Sequence, residues 1–155
     1  MKVLLPGSYD PITLGHLDVV RRVLARGDEV HLIAFINPDK SYLFSKEERL
    51  LMLRLATEDL KGVTVGFYEG RVVDYARENE IDKVVKGYRN CSDLEYEKIQ
   101  AEYNLKEGGL QTELIKSQSE YLDISSTRAR EAILNHSPLS SLLPEKVVTF
   151  LESKD

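Results

Sequence analysis

The sequence predicts an α/β protein, with a Rossmann-like, doubly wound and mainly parallel five-stranded sheet and helices on both faces. Three observations predict it. Short apolar runs rich in Val, Ile and Leu alternate with longer segments of helical spacing. The links between them are short and built from Gly, Pro, Asn, Asp and Ser. The chain has 155 residues, 42% of them apolar, which suits one core and a single domain over residues 1–155. Alternating strands and helices imply right-handed βαβ crossovers and strands buried on both sides.

The elements follow in order. Val3–Leu5 reads as the first strand. Leu14 to Leu24 carries Leu17, Val20, Val23 and Leu24 at helical spacing, and Gly27 stops it. Val30–Ile36 is a second buried strand, followed by the turn Asn37-Pro38-Asp39-Lys40. Ser45 with Glu48 forms a capping box for a helix to about Asp59. Val63–Phe67 is a third strand, Val72–Glu78 a short helix, and Lys83–Lys86 a fourth strand ending at Gly87. A helix from Asp93 to Lys106 stops at Gly108-Gly109, and Gln111–Ile115 is the fifth strand. Ser125 or Ser126 caps a helix through Leu134, and a last helix from Pro144 to Glu152 has proline in its first turn.

Composition narrows the function. A net charge of −5 argues against non-specific binding to nucleic acid or to an anionic membrane. Cys91 is the only cysteine, so no internal disulfide is expected, which fits a reducing, cytoplasmic setting. It has no nearby His and no metal spacing. No leader pattern and no apolar run of membrane-spanning length is read. His31 reads as a satisfied strand residue and His136 as a helix-end residue.

In such sheets ligands sit beyond the carboxyl ends of the strands, where strand order reverses. The loops to search are Pro6–Thr13, Asn37–Phe44, Tyr68–Arg71, Gly87–Ser92 and Lys116–Ser126. The first, Pro6-Gly7-Ser8-Tyr9-Asp10-Pro11, leads through Thr13-Leu14-Gly15-His16 into a helix. A helix N-terminus attracts phosphate, and a His in its first turn adds a donor. Gly7 lets the chain turn or approach a ligand, and Ser8 and Tyr9 offer N–H and hydroxyl donors. The plainer reading has Asp10 or Thr13 only capping that helix. Lys40 supplies a mobile cation, and Lys86 and Arg89 flank Gly87 with charge, Arg89 as a fork for phosphate oxygens. Ser125, Ser126 and Thr127, with Arg128 and Arg130, open a helix able to hold a triphosphate tail. Asp93, Glu95 and Glu97 read mostly as a solvated helix face, Glu97 also within reach of a ribose hydroxyl.

GSYDPITLGH resembles the first signature of the nucleotidylyltransferase superfamily, and ISSTRAR its second. Among members, the chain is most similar to the bacterial phosphopantetheine adenylyltransferases, through PGSYDPITLGHLD, NPDK with FSKEER, VVDYA, KGYRNCSDLEYE and LLPEKV. The resemblance implies transfer of AMP from ATP to 4′-phosphopantetheine, giving dephospho-coenzyme A and pyrophosphate, without a covalent intermediate. It implies that Ser8, Tyr9, His16, Gly87, Tyr88, Arg89, Glu97 and Tyr121, Leu122, Asp123, Ile124, Ser125, Ser126 and Thr127 bind ATP. Ser8, Lys40, Val72 and Lys86 then border the phosphopantetheine, and His16, Lys40 and Arg89 are the catalytic set. Magnesium accompanying ATP, no protein metal ligands and a homohexamer are implied as well. The chain departs from the family with Ser8 for Thr, Lys86 for Arg, Arg71 for an apolar residue, and ISSTRAR for a Ser-Ser-Ser-Leu-Val-Lys continuation. Those departures keep open another acceptor, nicotinate mononucleotide or a small alcohol phosphate. A nucleotide-binding regulator without turnover is the alternative of another class.

Overall fold

The strands of a computed structural model, which describes residues 1–154, form one sheet in the order β3-β2-β1-β4-β5, every neighbouring pair parallel. Asp155, the last residue of the expected domain, lies outside the described residues. The elements are β1 (Lys2–Gly7), α1 (Leu14–Ala25), β2 (Glu29–Phe35), α2 (Lys46–Thr57), β3 (Val63–Tyr68), α3 (Val72–Glu78), β4 (Lys83–Tyr88), α4 (Cys91–Gly108), β5 (Thr112–Lys116), α5 (Ser126–Leu134) and α6 (Glu145–Ser153).

Each sheet face has its own core. On one side Val3, Leu5, Val30 and Leu32 pack against Val20 and Val23 of α1, Met52 and Leu53 of α2, Ala129 of α5 and Val147 of α6. On the other, Leu4, Ile33 and Val84 meet Val73, Tyr75 and Ala76 of α3 and Leu110. Helices therefore cover both faces. The alternation of Val3, Leu4 and Leu5 between the two cores is the two-residue period of a strand buried on both sides.

Several ends differ from the sequence reading. β4 continues through Lys86 and Gly87 to Tyr88, because β5 pairs with it as far as Tyr88–Lys116. α4 begins two residues early at Cys91, since Asn90 accepts the Asp93 N–H and acts as its cap. Pro144 is the N-cap of α6, one position before the first turn. Gly27 follows the C-cap of α1 in the left-handed region, at φ +89°, where glycine stops a helix without strain. His31 is buried, and its Nδ1 lies 2.7 Å from the Tyr75 hydroxyl. No helix of the described residues is long and apolar enough to cross a membrane.

Candidate active site

β1 runs beside β2 from Lys2–Glu29 to Gly7–Ala34, but it pairs with β4 only at Val3–Lys83 and Leu4–Val84. The cause lies in β1. Lys2 turns its carbonyl toward β4 and accepts the Asp82 N–H at 2.8 Å. Pro6, on the same side by the strand's period, has no N–H to offer β4. Its carbonyl instead accepts the Lys86 ammonium at 3.2 Å. The strands part here, and strand order reverses here, the position at which open α/β sheets bind ligands.

Two adjoining cavities occupy the opening. One, of about 280 Å³, lies between the β1 loop, the start of α1, the end of β4 and the start of α5. It falls just below the usual range for ligand clefts, about 300–1,000 Å³. The other, of about 860 Å³, lies between the β2 loop, the residues Glu69, Gly70 and Val72, and α4. They share Pro6, Gly7, Ser8, Lys86, Tyr96 and Glu97. Any group passing between ligands in the two cavities crosses at that common wall.

His16 lines the smaller cavity. Thr13 caps α1, its Oγ1 accepting the His16 N–H at 3.3 Å while the Thr13 N–H donates to His16 Nδ1 at 3.0 Å. A backbone N–H always donates, so Nδ1 is the acceptor and the ring proton of neutral His16 sits on Nε2. The Tyr9 ring meets the imidazole edge-on at 4.9 Å. Burial, with the charges of Lys86 and Arg89, lowers the His16 pKa to about 3. The imidazole is therefore neutral near pH 7 and presents one N–H donor.

The cations are arranged by carboxylates. Lys86 pairs with buried Glu97 at 3.2 Å. Arg89 is held by Asp93 at 2.9 and 3.3 Å, and its own N–H donates to the same carboxylate. Asp93 and Glu97 are thus not a solvated face. Each orients a cation on the cavity wall. Lys40 is exposed, lines only the larger cavity, and donates to Ser8 Oγ at 3.2 Å. Val72 lines that cavity too. Arg71 does not, because its guanidinium is spent on Asp74, Tyr103 and Glu107.

Other expected roles need correction. The Tyr9 hydroxyl is buried and donates to the Leu5 carbonyl at 2.8 Å, so it is no donor to a ligand, and burial pushes its pKa up. Gly7 ends a strand. The sharp turn falls at Tyr9, with φ 47°, and its ring folds over Gly7, where a Cβ would lie 3.1 Å from it. Gly87 does line the smaller cavity, but a Cβ there would meet Val19 of α1 at 3.1 Å, so helix approach also requires the glycine. Ile124, Ser125 and Ser126 line the smaller cavity, whereas Tyr88, Tyr121, Leu122, Asp123 and Thr127 line neither. Tyr121 packs on the core. Arg128 donates to the Asp123 carbonyl, and Arg130 to the Asp10 carbonyl and Thr127 Oγ1, which leaves both outside the cavity lining.

Sequence reasoning missed four supporting residues. Asp10 is 2% exposed and its carboxylate accepts the Leu43 and Phe44 N–H groups at 2.8 and 2.9 Å, tying the β1 loop to the β2 loop that carries Lys40. Arg49 is buried beneath Ser8. Its spacing of three and four from Met52 and Leu53 was the available signal. Tyr96 and Asn104 join Glu97 on the cavity wall, and the pair Glu97 and Asn104 marks a polar inner stripe of α4. Among the described residues no three His, Cys, Asp or Glu side chains gather to hold a metal ion.

The fold and this opening define a nucleotidyl-transferring protein, and the profile of the cytidylyltransferase-like family matches residues 4–132. A solved relative by shape is the bifunctional NMN adenylyltransferase/ADP ribose pyrophosphatase from Francisella tularensis, with a TM-score of 0.69 at 13% identity. The match covers 99% of this chain and 50% of that one, and it bears on the fold alone. Two similar proteins are both named phosphopantetheine adenylyltransferase. That of Corynebacterium efficiens is 39% identical over 155 residues, covering 99% of this chain and 98% of the relative. That of Clostridium novyi is 36% identical over 152 residues, covering 97% and 94%. The chain belongs to the phosphopantetheine adenylyltransferases of the cytidylyltransferase-like family.

Proposed function

We propose that the protein moves the adenylyl group of ATP onto the phosphate of 4′-phosphopantetheine, yielding dephospho-coenzyme A and pyrophosphate. The observation that carries this reading is the pair of cavities sharing the Pro6–Ser8 and Lys86 wall, with His16 on one side and Lys40 on the other. ATP takes the smaller cavity and the acceptor takes the larger. An acceptor phosphate oxygen attacks the α-phosphorus in line. The new P–O bond forms as the bond to the β-phosphate oxygen breaks, and pyrophosphate leaves with that electron pair.

No side chain here needs to become a nucleophile. Catalysis is positioning and charge stabilisation. Neutral His16 donates from Nε2 to an α-phosphate oxygen as its charge grows. Lys40 and Lys86, with Ser8, hold the acceptor phosphate. Arg89 and the N-terminus of α5, through Ser125 and Ser126, hold the leaving phosphates. Magnesium, when bound, neutralises phosphate charge. Asp93 and Glu97 are engaged with Arg89 and Lys86, so a magnesium ion arriving with ATP would be held through the nucleotide and not by these carboxylates. The chain acts as one catalytic unit, since one sheet carries both cavities. It works as a homo-oligomer, the hexamer of the family resemblance, supported by exposed Ile99, Tyr103 and Leu105 on α4 and by Phe67 on the edge strand β3. A cytoplasmic location completes the reading.

Pyrophosphate release measured with ATP and 4′-phosphopantetheine tests it, with nicotinate mononucleotide and glycerol phosphate as rival acceptors. Turnover with a rival and none with phosphopantetheine overturns the acceptor. ATP binding without pyrophosphate from any acceptor overturns the enzyme.

A further inference from the structure

Among the described residues, Arg49 is the one deeply buried cation that the mechanism above leaves unused. Its residue is 2% exposed, and it makes no ion pair among the described residues. Nη1 donates to the Ser8 carbonyl at 3.0 Å, and Nε is buried without a hydrogen-bond partner among the described residues. The guanidinium carbon lies 3.9 Å from the centre of the Tyr42 ring. The Tyr42 hydroxyl accepts the Asn37 N–H at 3.0 Å, and Ser8 and Tyr42 both line the larger cavity. A buried charge is costly unless an opposite charge meets it. Among the described residues no carboxylate pairs with Arg49. The two residues that touch Arg49, Ser8 and Tyr42, instead line the cavity assigned to a phosphorylated acceptor.

We propose that Arg49 is a positioning residue whose buried, unneutralised charge, set beneath Ser8 and Tyr42, tunes the larger cavity to bind a phosphate group. The proposal rests on the acceptor assignment above. The cation acts through Ser8 and through the low dielectric around it, without touching the ligand. An exposed lysine such as Lys40 is screened by salt, whereas a buried guanidinium is screened much less. The ring face of Tyr42 holds the charge in place without cancelling it.

Calorimetric titration of the full-length protein tests the proposal, using 4′-phosphopantetheine, unphosphorylated pantetheine and inorganic phosphate as probes. Arg49→Met removes the charge and fills a similar space, Arg49→Lys keeps the charge, and Arg49→Gln stands in should the Met variant fail to fold by circular dichroism. Losing the charge weakens 4′-phosphopantetheine and phosphate by about tenfold, leaves pantetheine unchanged, and is largely rescued by lysine. Equal weakening of pantetheine, no weakening of either phosphate-bearing probe, or a lysine variant as weak as the methionine variant overturns it. Failure of the wild type to bind phosphopantetheine while it still binds phosphate strikes the acceptor assignment instead. The phosphate arm continues to judge Arg49 in that case.

Discussion

Replacing His16 by alanine removes one oriented donor, the capping acceptor of the Thr13 N–H and the edge contact with Tyr9. Nδ1 is occupied by the Thr13 N–H, so the only group lost to a ligand is the Nε2–H of a residue that lines the smaller cavity. A donor aimed at charge that develops in the transition state is worth about 3–4 kcal/mol, or roughly a hundredfold to a thousandfold in turnover. Because ground-state ATP gains little from it, kcat and kcat/KM fall together, and the ATP KM stays within about threefold. Continuous measurement of pyrophosphate release from pH 5 to 9 gives both the magnitude and the ionisation state. With the His16 pKa at about 3, the wild-type to variant ratio stays constant across that range. Unchanged turnover in His16→Ala removes the residue from the mechanism. A wild-type ionisation between pH 6 and 7 that disappears in the variant makes His16 a proton carrier, which would falsify its role as a neutral donor.

The same depressed pKa has a stability consequence. Unfolded His16 takes up a proton below about pH 6.5 while the folded residue stays neutral to about 3, so acid favours unfolding. Urea titrations at pH 8 and pH 5 show the wild type losing about 2 kcal/mol more than His16→Gln. Asp10→Ala strands the buried N–H of Phe44 and the partly buried N–H of Leu43, and costs about 2 kcal/mol by the same titration. Lys40→Ala raises the acceptor KM by about tenfold and leaves the ATP KM alone, because Lys40 lines only the larger cavity; initial rates with each substrate varied decide it. Glu113 accepts from Arg26 and Lys83, bonds that lower its pKa to about 2. Its contribution, about 1 kcal/mol at this half-exposed site, is present above pH 4.5 and disappears toward pH 2. Thermal melts of Glu113→Gln therefore differ from wild type at pH 6 and converge with it at pH 2.

Some of the site was legible and some was not, and the division follows the range of the interactions. Thr13 and His16 sit three apart, so one helical turn joins them and the order Thr-x-x-His already places a His at a helix N-terminus. The short helix expected over Val72–Glu78 is α3, with the same bounds. Glu97 was misread. Its neighbours in sequence are charged, but its partner Lys86 arrives from β4, and only packing brings the two together. Arg128 and Arg130 read as phosphate ligands at a helix start, yet the Asp123 and Asp10 carbonyls bind them first. Tyr9 read as a donor until the turn at φ 47° buried it.

The sequence by itself determined the alternation of strands and helices, the place of His16 at the start of α1, and the loops in which a phosphate ligand belongs. These depend on hydrophobic period, capping and turn chemistry, which act over a few residues. Tertiary structure alone decided that β1 parts from β4 beside Pro6, that two cavities meet there, and which cations stay free to face a ligand. Those outcomes depend on pairings between residues many tens of positions apart, such as Pro6 with Lys86, Asp10 with Arg130 and Ser8 with Arg49. A donor's availability depends on every acceptor the fold brings within reach, and no local pattern records that.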